Sequence, residues 1–491
     1  MANVDVAGIH RPDGRLDAAT ALRPYKGPWD ERRAAHLLRR AGFGGSPADV
    51  KRLASGGVSA AVGSLVDFPS TSSLPPPANV YDPIGHVRQM LGGRAPGMLG
   101  DDDKRRLGKM VRKEERASVL SLQSWWLDRM LVSPAPLQEK MTLYFHGHFT
   151  TAAVQKGVSP PMVLAQNQLF RDNALGNLRE LTRKVSKDPA MLLYLDNSLN
   201  VASHPNENYA RELMELFTLG VDHYTEQDVR ESARAWSGWQ VLRRDGVARF
   251  VPGRHDGGTK TFLGRTGAWT GDDIVDIIFD QPQAATFFAG SLLNFFVYND
   301  PEPELVDAVA ALVRKNDFEL APVVSTLLRS DVFYSDRAYR ALVKSPVEFV
   351  VGTHKALGLA QIDDSARRAL AAMGQVLFYP PNVAGWPGGQ NWITSQMMLA
   401  RQNFVAGLVT SQAMADSTWM NALPLQARTA ANDLVAAILQ GDASPLATAQ
   451  LVAYLNGEGE SALGMLSGEN RDERVRGAAY LTMAMPAFQL A

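Results

Sequence analysis

The sequence predicts an all-α protein, a large multi-helix body with one small β-hairpin inserted near residues 240–252. Three observations predict it. Apolar residues recur at three- and four-residue spacing through most of the chain. Helix starts are marked by signals such as Ser46-Pro47 and Thr225-Glu226-Gln227-Asp228, a cap followed by a first-turn proline or by a carboxylate three residues on. Alternation of the strand kind is convincing only between Trp239 and Gly264.

Taken in order, residues 1–28 read as an irregular lead-in punctuated by Pro12, Gly14, Pro24, Gly27 and Pro28. A helix over about 30–40 ends at Gly42, and Ser46-Pro47 opens the next. The Pro, Ser and Gly content of 69–100 predicts a long loop. Residues 104–131 have helical periodicity and carry Trp125 and Trp126; Pro134 and Pro136 interrupt it, and 137–149 forms a further helix with Tyr144, Phe145 and Phe149. Helices are expected at about 160–172, 176–187, 206–219 and 225–237. Val241–Arg244, an Asp245-Gly246 turn and Val247–Val251 read as the hairpin. Helical periodicity resumes at Asp272 and runs to about 413, broken at 378–389, and the alanine-rich 424–491 is helical. The expected division is the lead-in 1–28, a main helical domain 29–413 carrying the motifs, and a C-terminal helical segment 414–491 packed on it, with no internal repeat.

Composition excludes several function classes. The chain has 491 residues, 45% hydrophobic and 21% charged, enough to bury a large core without covalent staples. Fifty basic against 51 acidic residues give a net charge of -1, which argues against nucleic-acid binding by phosphate neutralisation. The basic run from Lys104 to Lys113 reads as a solvated helix face. With no cysteine there are no disulfides, thiolate ligands or cysteine nucleophile, and cysteine absence fits either redox compartment. No run approaches the roughly 18 apolar residues of a membrane span. The N-terminal residues have neither a charged nor an apolar signal region, so no signal peptide is expected; an exported form would need a removed signal or a partner that carries one.

Four constellations are candidates for chemistry. In His204–Glu215 a 3.6-residue period puts Asn208, Glu212 and Glu215 on one helix face, with Arg211 beside them and Tyr209, Leu213, Leu216 and Phe217 opposite. Glu207 and Arg211 are spaced for an ion pair. Asn197, Asn200, Asn206 and Asn208 would be costly if buried unpaired, and serve equally as turn and cap residues. The bland alternative is a solvated polar face. Second, His146-Gly147-His148 is a weak pair of metal ligands, to be completed from Glu212, Glu215, Asp228, Glu231 or His255; otherwise one histidine caps a helix and the other packs among aromatics. Third, His255-Asp256-Gly257-Gly258 offers an acid/base or a ligand, or is a connecting loop. Fourth, Asn382, Trp386 and Trp392 lie in a Gly/Pro-rich stretch that would wall a pocket or plug the helical body. No nucleophile elbow, phosphate loop, dinucleotide fingerprint or His-Glu-x-x-His motif is present.

Taken together these segments resemble the bacterial domain of unknown function 1800 family. Ala34-Ala35-His36-Leu37-Leu38-Arg39-Arg40-Ala41-Gly42-Phe43-Gly44 resembles its opening, and the stretch from Lys140 to Phe149 is similar to a segment in which relatives tend to read W-H-x-H-F. The run from Asn206 to Gly220 matches its most recognisable segment; Ala235–Trp239 and Pro381–Gly389 also fit, so the resemblance covers about residue 30 to the end. It implies no established reaction. Members are often encoded beside a sulfatase/phosphatase-like protein and many are predicted to be exported, which implies a periplasmic or envelope role with that partner; without an export signal the expectation is cytoplasmic.

Three readings of function stay open. In the first, a divalent metal ion sits on His146, His148 and Glu212, with Glu207, Arg211, Glu215 and His255 as catalytic groups and Asn206, Asn208, Asn382, Trp386 and Trp392 holding a polar or anionic substrate. In the second, Glu212 pairs with Glu215 or Asp228 in metal-free glycan hydrolysis. In the third, the protein is a scaffold or maturation partner of the sulfatase/phosphatase-like protein.

Overall fold

Proline opens helix after helix, which is how a chain with 28 prolines remains α-helical. In the computed structural model, which describes residues 18–68, 75–91, 99–242, 246–457 and 471–491, the helices Pro47–Ala54, Pro136–His148, Pro160–Asp172, Pro282–Phe296, Pro303–Lys315, Pro346–Leu357 and Pro445–Asn456 all begin on one. Side-chain caps precede many of them. Asp30 caps Glu31–Arg40, and Ser46, Thr225 and Ser345 each close a capping box with the carboxylate three residues on. The all-α expectation holds, with small antiparallel hairpins as the β structure among the described residues.

The Pro136–His148 helix lies at the centre, with every residue from Leu137 to His146 buried. A helix enclosed on all sides must pair its polar side chains internally. Glu139 does so by accepting from the Trp126 indole at 3.0 Å, from Arg129, and from Arg171 through Nε at 2.8 Å and Nη2 at 3.1 Å. Arg129 and Trp126 come from the C-terminal half of Asp101–Val132, the half that is buried. Phe145, Phe149, Phe170 and Phe217 form the adjoining aromatic core.

The structure corrects the sequence reading in four places. The loop expected over 69–100 contains the helix Pro83–Leu91, opened by Asp82, whose carboxylate accepts from the Ile84 N–H at 3.0 Å; residues 69–74 and 92–98 lie outside the described residues. In the expected hairpin Val241 faces Ala248, not Phe250 as an Asp245-Gly246 turn requires, and residue 245 is outside the described set. A second hairpin, Lys260–Phe262 with Arg265–Gly267, turns on Leu263 (φ 44°) and Gly264 (φ 78°). That geometry needs positive φ at both turn residues, which leucine seldom adopts, so the sequence carried no turn signal. Finally, the helix read as one element over 206–219 is α-helical only from Asn208 to Glu212 and widens to a π-helix from Leu213 to Thr218. The 424–491 segment is helical where described, and its Arg471–Ala484 helix packs on Ser395–Thr410. No described helix is long and apolar enough to cross a membrane.

Candidate functional site

Glycine brings two of the sequence constellations together. At Gly385, φ is +83° and an added Cβ would lie 2.4 Å from the Gly147 carbonyl oxygen, so the 378–389 stretch seats its backbone directly on the end of the central helix. Thr150 donates its hydroxyl to the Val383 carbonyl, the Ala153 N–H donates to Phe378 O at 2.9 Å, and the Gln123 amide donates to Leu377 O at 2.8 Å. The seating carries Trp386 across the helix end, where a Cβ added at Gly147 would meet its ring at 3.9 Å.

Beneath Trp386 and Trp392 is a cavity of about 290 Å³. Leu143, Phe295, Leu342 and the two indoles form its apolar walls; His148, Tyr144, Ser291, Asn294, Asn299, Ser345 and Gln375 supply polar groups; Glu348 is its one carboxylate. Tyr144 and Ser291 share a hydrogen bond of 2.8 Å between their hydroxyls, and burial pushes the Tyr144 phenol up to about 12. The Gln375 amide oxygen accepts from the Val347 N–H at 2.9 Å. Burial would raise the Glu348 carboxyl, but the Lys140 ammonium, bonded to it, and the Ser345 N–H at 2.6 Å outweigh that and hold it below its ordinary range. Both indole N–H groups of Trp386 and Trp392 are buried without an acceptor among the described residues.

His148 lines this cavity, and burial lowers its imidazole to about 4, only partly offset by its bond to the Phe217 carbonyl. The ring is therefore neutral near pH 7. Its Nε2 is 2.8 Å from Phe217 O, an atom that only accepts, so the proton sits on Nε2 and Nδ1 keeps its lone pair. The π-helix supplies that carbonyl at its last turn, where backbone acceptors lack intrahelical partners.

His146 points elsewhere. The Asn167 side-chain amide donates to its Nε2 at 3.0 Å, because Asn167 turns its oxygen to Arg171 Nη2 at 2.6 Å. Its ring packs on Trp126, Phe170 and Phe378, and burial, then Arg171, lower it to about 3. The two histidines thus do not share a focus, as their i, i+2 placement on a helix dictates. Among the described residues no three His, Asp or Glu side chains are grouped to hold a metal ion.

No residue of the polar helix lines the cavity; its link to the wall is the bond between the Phe217 carbonyl and His148. Arg211 holds Glu226 through both terminal nitrogens, at 2.7 and 2.8 Å, and Glu207 at 3.4 Å. Asn206 accepts from the Asn208 N–H at 3.0 Å, its own N–H donates to Asn200 Oδ1 at 3.0 Å, and Asn208 donates to Leu195 O at 3.2 Å. Tyr224 donates to Glu215 at 2.7 Å. The Glu212 carboxyl group makes no hydrogen bond among the described residues, and it is raised by burial and then by Glu215. His255 donates through Nδ1 to Ser237 O at 3.0 Å, while Asp256 pairs with Arg234 at 2.7 Å; neither lines the cavity. Asn382 is exposed and accepts from the Ala384 N–H at 2.9 Å, shaping its own turn.

Of the sequence candidates, then, His148, Trp386 and Trp392 meet in one cavity. Sequence reasoning missed Tyr144, Ser291, Asn294, Asn299 and Glu348 as its wall. Only Glu348 carried a signal, the Ser345-Pro346-Val347-Glu348 capping box; Asn294 and Asn299 sit at and beyond the end of an ordinary apolar helix.

The geometry on the central helix, the polar helix and the 378–389 stretch involves the segments that carry the sequence resemblance. The sequence profile of the family described as "Protein of unknown function (DUF1800)" matches residues 36–490. The chain belongs to this family. The DUF1800 match runs through the cavity, the buried Glu139 network and the π-helix alike. No curated protein and no solved structure matches the chain.

Proposed function

We propose that the protein binds a polar, uncharged molecule about the size of one sugar ring in the cavity under Trp386 and Trp392, and that the neutral His148 accepts a hydrogen bond or a proton from it. The observation that carries this reading is the balance of the wall: its one carboxylate, Glu348, is matched by Lys140, and the rest of its polar surface is hydroxyl, amide and unprotonated imidazole nitrogen. Two indoles with amide and hydroxyl groups suit a hydroxylated ring, which offers an apolar face and directed polar edges. A neutral imidazole near an apolar wall also suits removal of a proton from a hydroxyl group, as a hydrolase or transferase requires.

Indole fluorescence tests this against a panel of neutral hexoses, N-acetylhexosamines and their phosphates. A neutral sugar should shift the emission of the wild type and leave Trp392→Ala unmoved. A panel in which no neutral sugar binds, or in which phosphates bind more tightly, overturns it.

A second reading rests on Glu212, half-buried, raised in pKa and free of hydrogen bonds beside Glu215. It makes the polar helix a carboxylate pair for glycan hydrolysis, and it requires Glu212→Gln to abolish a hydrolytic activity that Trp392→Ala retains. The metal-assisted reading keeps only His148 at the cavity, since His146 is engaged with Asn167. A scaffold role beside a sulfatase/phosphatase-like partner in the periplasm draws support from the mutual pairing of Glu207, Arg211 and Glu226; a co-purifying complex whose partner activity survives Glu212→Gln tests it.

A further inference from the structure

Glu348 also lines a second, much smaller and partly open space of about 30 Å³, walled besides by Arg39, Lys344, Gln440, Phe488 and Ala491. Its side-chain charges do not balance. Arg39 and Lys344 line it, Arg340 and Arg401 act on Lys344 from nearby, Lys140 holds Glu348, and all five are buried. The side-chain carboxylates facing them are Glu348, committed to Lys140 and the Ser345 N–H, and Asp442, which accepts from Arg340 at 2.6 Å and Tyr339 at 2.5 Å. Arg401 is left with neutral acceptors, the Lys344 carbonyl at 2.7 Å and the Gln489 side chain at 3.3 Å. Arg39 gives Nη1 to Gln440 at 2.5 Å, and its Nε and Nη2 are buried with no acceptor. Lys344 makes no side-chain hydrogen bond among the described residues; its ammonium rests 3.8 Å over the Phe488 ring.

Buried cations in this number are unstable without counter-charge. Burial, and then Arg39, Arg340 and Arg401, press the Lys344 ammonium toward its neutral form. The space between is large enough for one water-sized body, which needs roughly 10–15 Å³ on this measure, and too small for a tetrahedral oxyanion. We infer that a single monovalent anion of halide size occupies the space between the Arg39 guanidinium and the Lys344 ammonium, as a structural counter-ion that fixes Glu31–Arg40 and the 340–345 stretch to the C-terminal residues.

Bromide is the probe. Crystals of the whole protein grown in sodium bromide should show an anomalous peak between Arg39 and Lys344 that is absent from Lys344→Met. The thermal midpoint should rise with sodium chloride by a few degrees more than with sodium gluconate at equal ionic strength, and Arg39→Met should remove that difference. If both variants fail to fold, the wild-type map and salt comparison still decide. A space filled by water or by the carboxyl group of residue 491, or a bromide peak with no salt-specific shift in midpoint, overturns the inference.

Discussion

The His148 Nε2–H and the Phe217 carbonyl oxygen, 2.8 Å apart, join the end of the central helix to the end of the π-helix. The bond exists only while the imidazole is neutral on Nδ1 or doubly protonated, and burial selects the neutral form. It fixes which nitrogen faces a ligand.

Acid should therefore destabilise the protein early. His148 titrates at about 4 and His146 at about 3 in the folded state, both below the ordinary imidazole value near 6.5. Between those limits the unfolded chain binds more protons, so stability falls as pH drops from about 6.5 and continues to fall to about 4, with each histidine adding up to about 1.4 kcal/mol per pH unit. Urea midpoints taken from pH 7 to 4.5 should show this slope, and His148→Gln should reduce it. An unchanged slope would mean His148 is solvated.

Gly385 and Gly147 should respond oppositely to alanine. Gly385→Ala meets a carbonyl oxygen at 2.4 Å in a positive-φ position and should cost at least about 2 kcal/mol, whereas Gly147→Ala meets only the Trp386 ring edge at 3.9 Å. The second, in a helix, should be neutral or stabilising by up to about 1 kcal/mol. Chemical denaturation of the two variants checks the contrast.

Glu139→Gln should be among the most damaging single changes outside the cavity. It removes the charge of the carboxylate shared by Arg129 and Arg171, both buried. A loss of about 3–5 kcal/mol is expected from equilibrium unfolding. Because Arg171 also orients Asn167, the His146 ring signals should shift in the same variant.

Glu215→Gln should lower the pKa of Glu212. Burial raises Glu212 first and the charge of Glu215 second, so only the second contribution disappears. Carboxyl carbon chemical shifts followed through an acid titration measure it; an unmoved Glu212 would show that the two carboxylates do not sense each other.

The helical architecture was legible because its signals are local: Ser46, Thr225 and Ser345 announce their helices within four residues. The hairpin on Leu263 was not, since its turn is imposed by tertiary contacts such as the Leu263 N–H to Asp228 at 2.7 Å. For the candidate site, His148, Trp386 and Trp392 stood out by residue type. Their wall partners did not, because Asn294 and Glu348 reach the cavity from helices, and Asn299 from the loop after one, far along the chain, and no spacing encodes that approach. The polar helix is conspicuous in the sequence by its charges, whereas the pairing of Arg211 with Glu226 and the absence of its residues from the cavity wall are set by tertiary structure.

The wide turn over Leu213–Thr218 holds one residue more than an α-helical turn would. Deleting a single residue there would let the backbone relax to ordinary winding, and about 100° of rotation would then separate everything before the deletion from everything after it. Either Tyr209, bonded to Ser186, leaves the core, or the Phe217 carbonyl swings away from His148. The segment behaves as a phase adjuster: it lets one rod satisfy two neighbours set at angles that no regular helix could serve together.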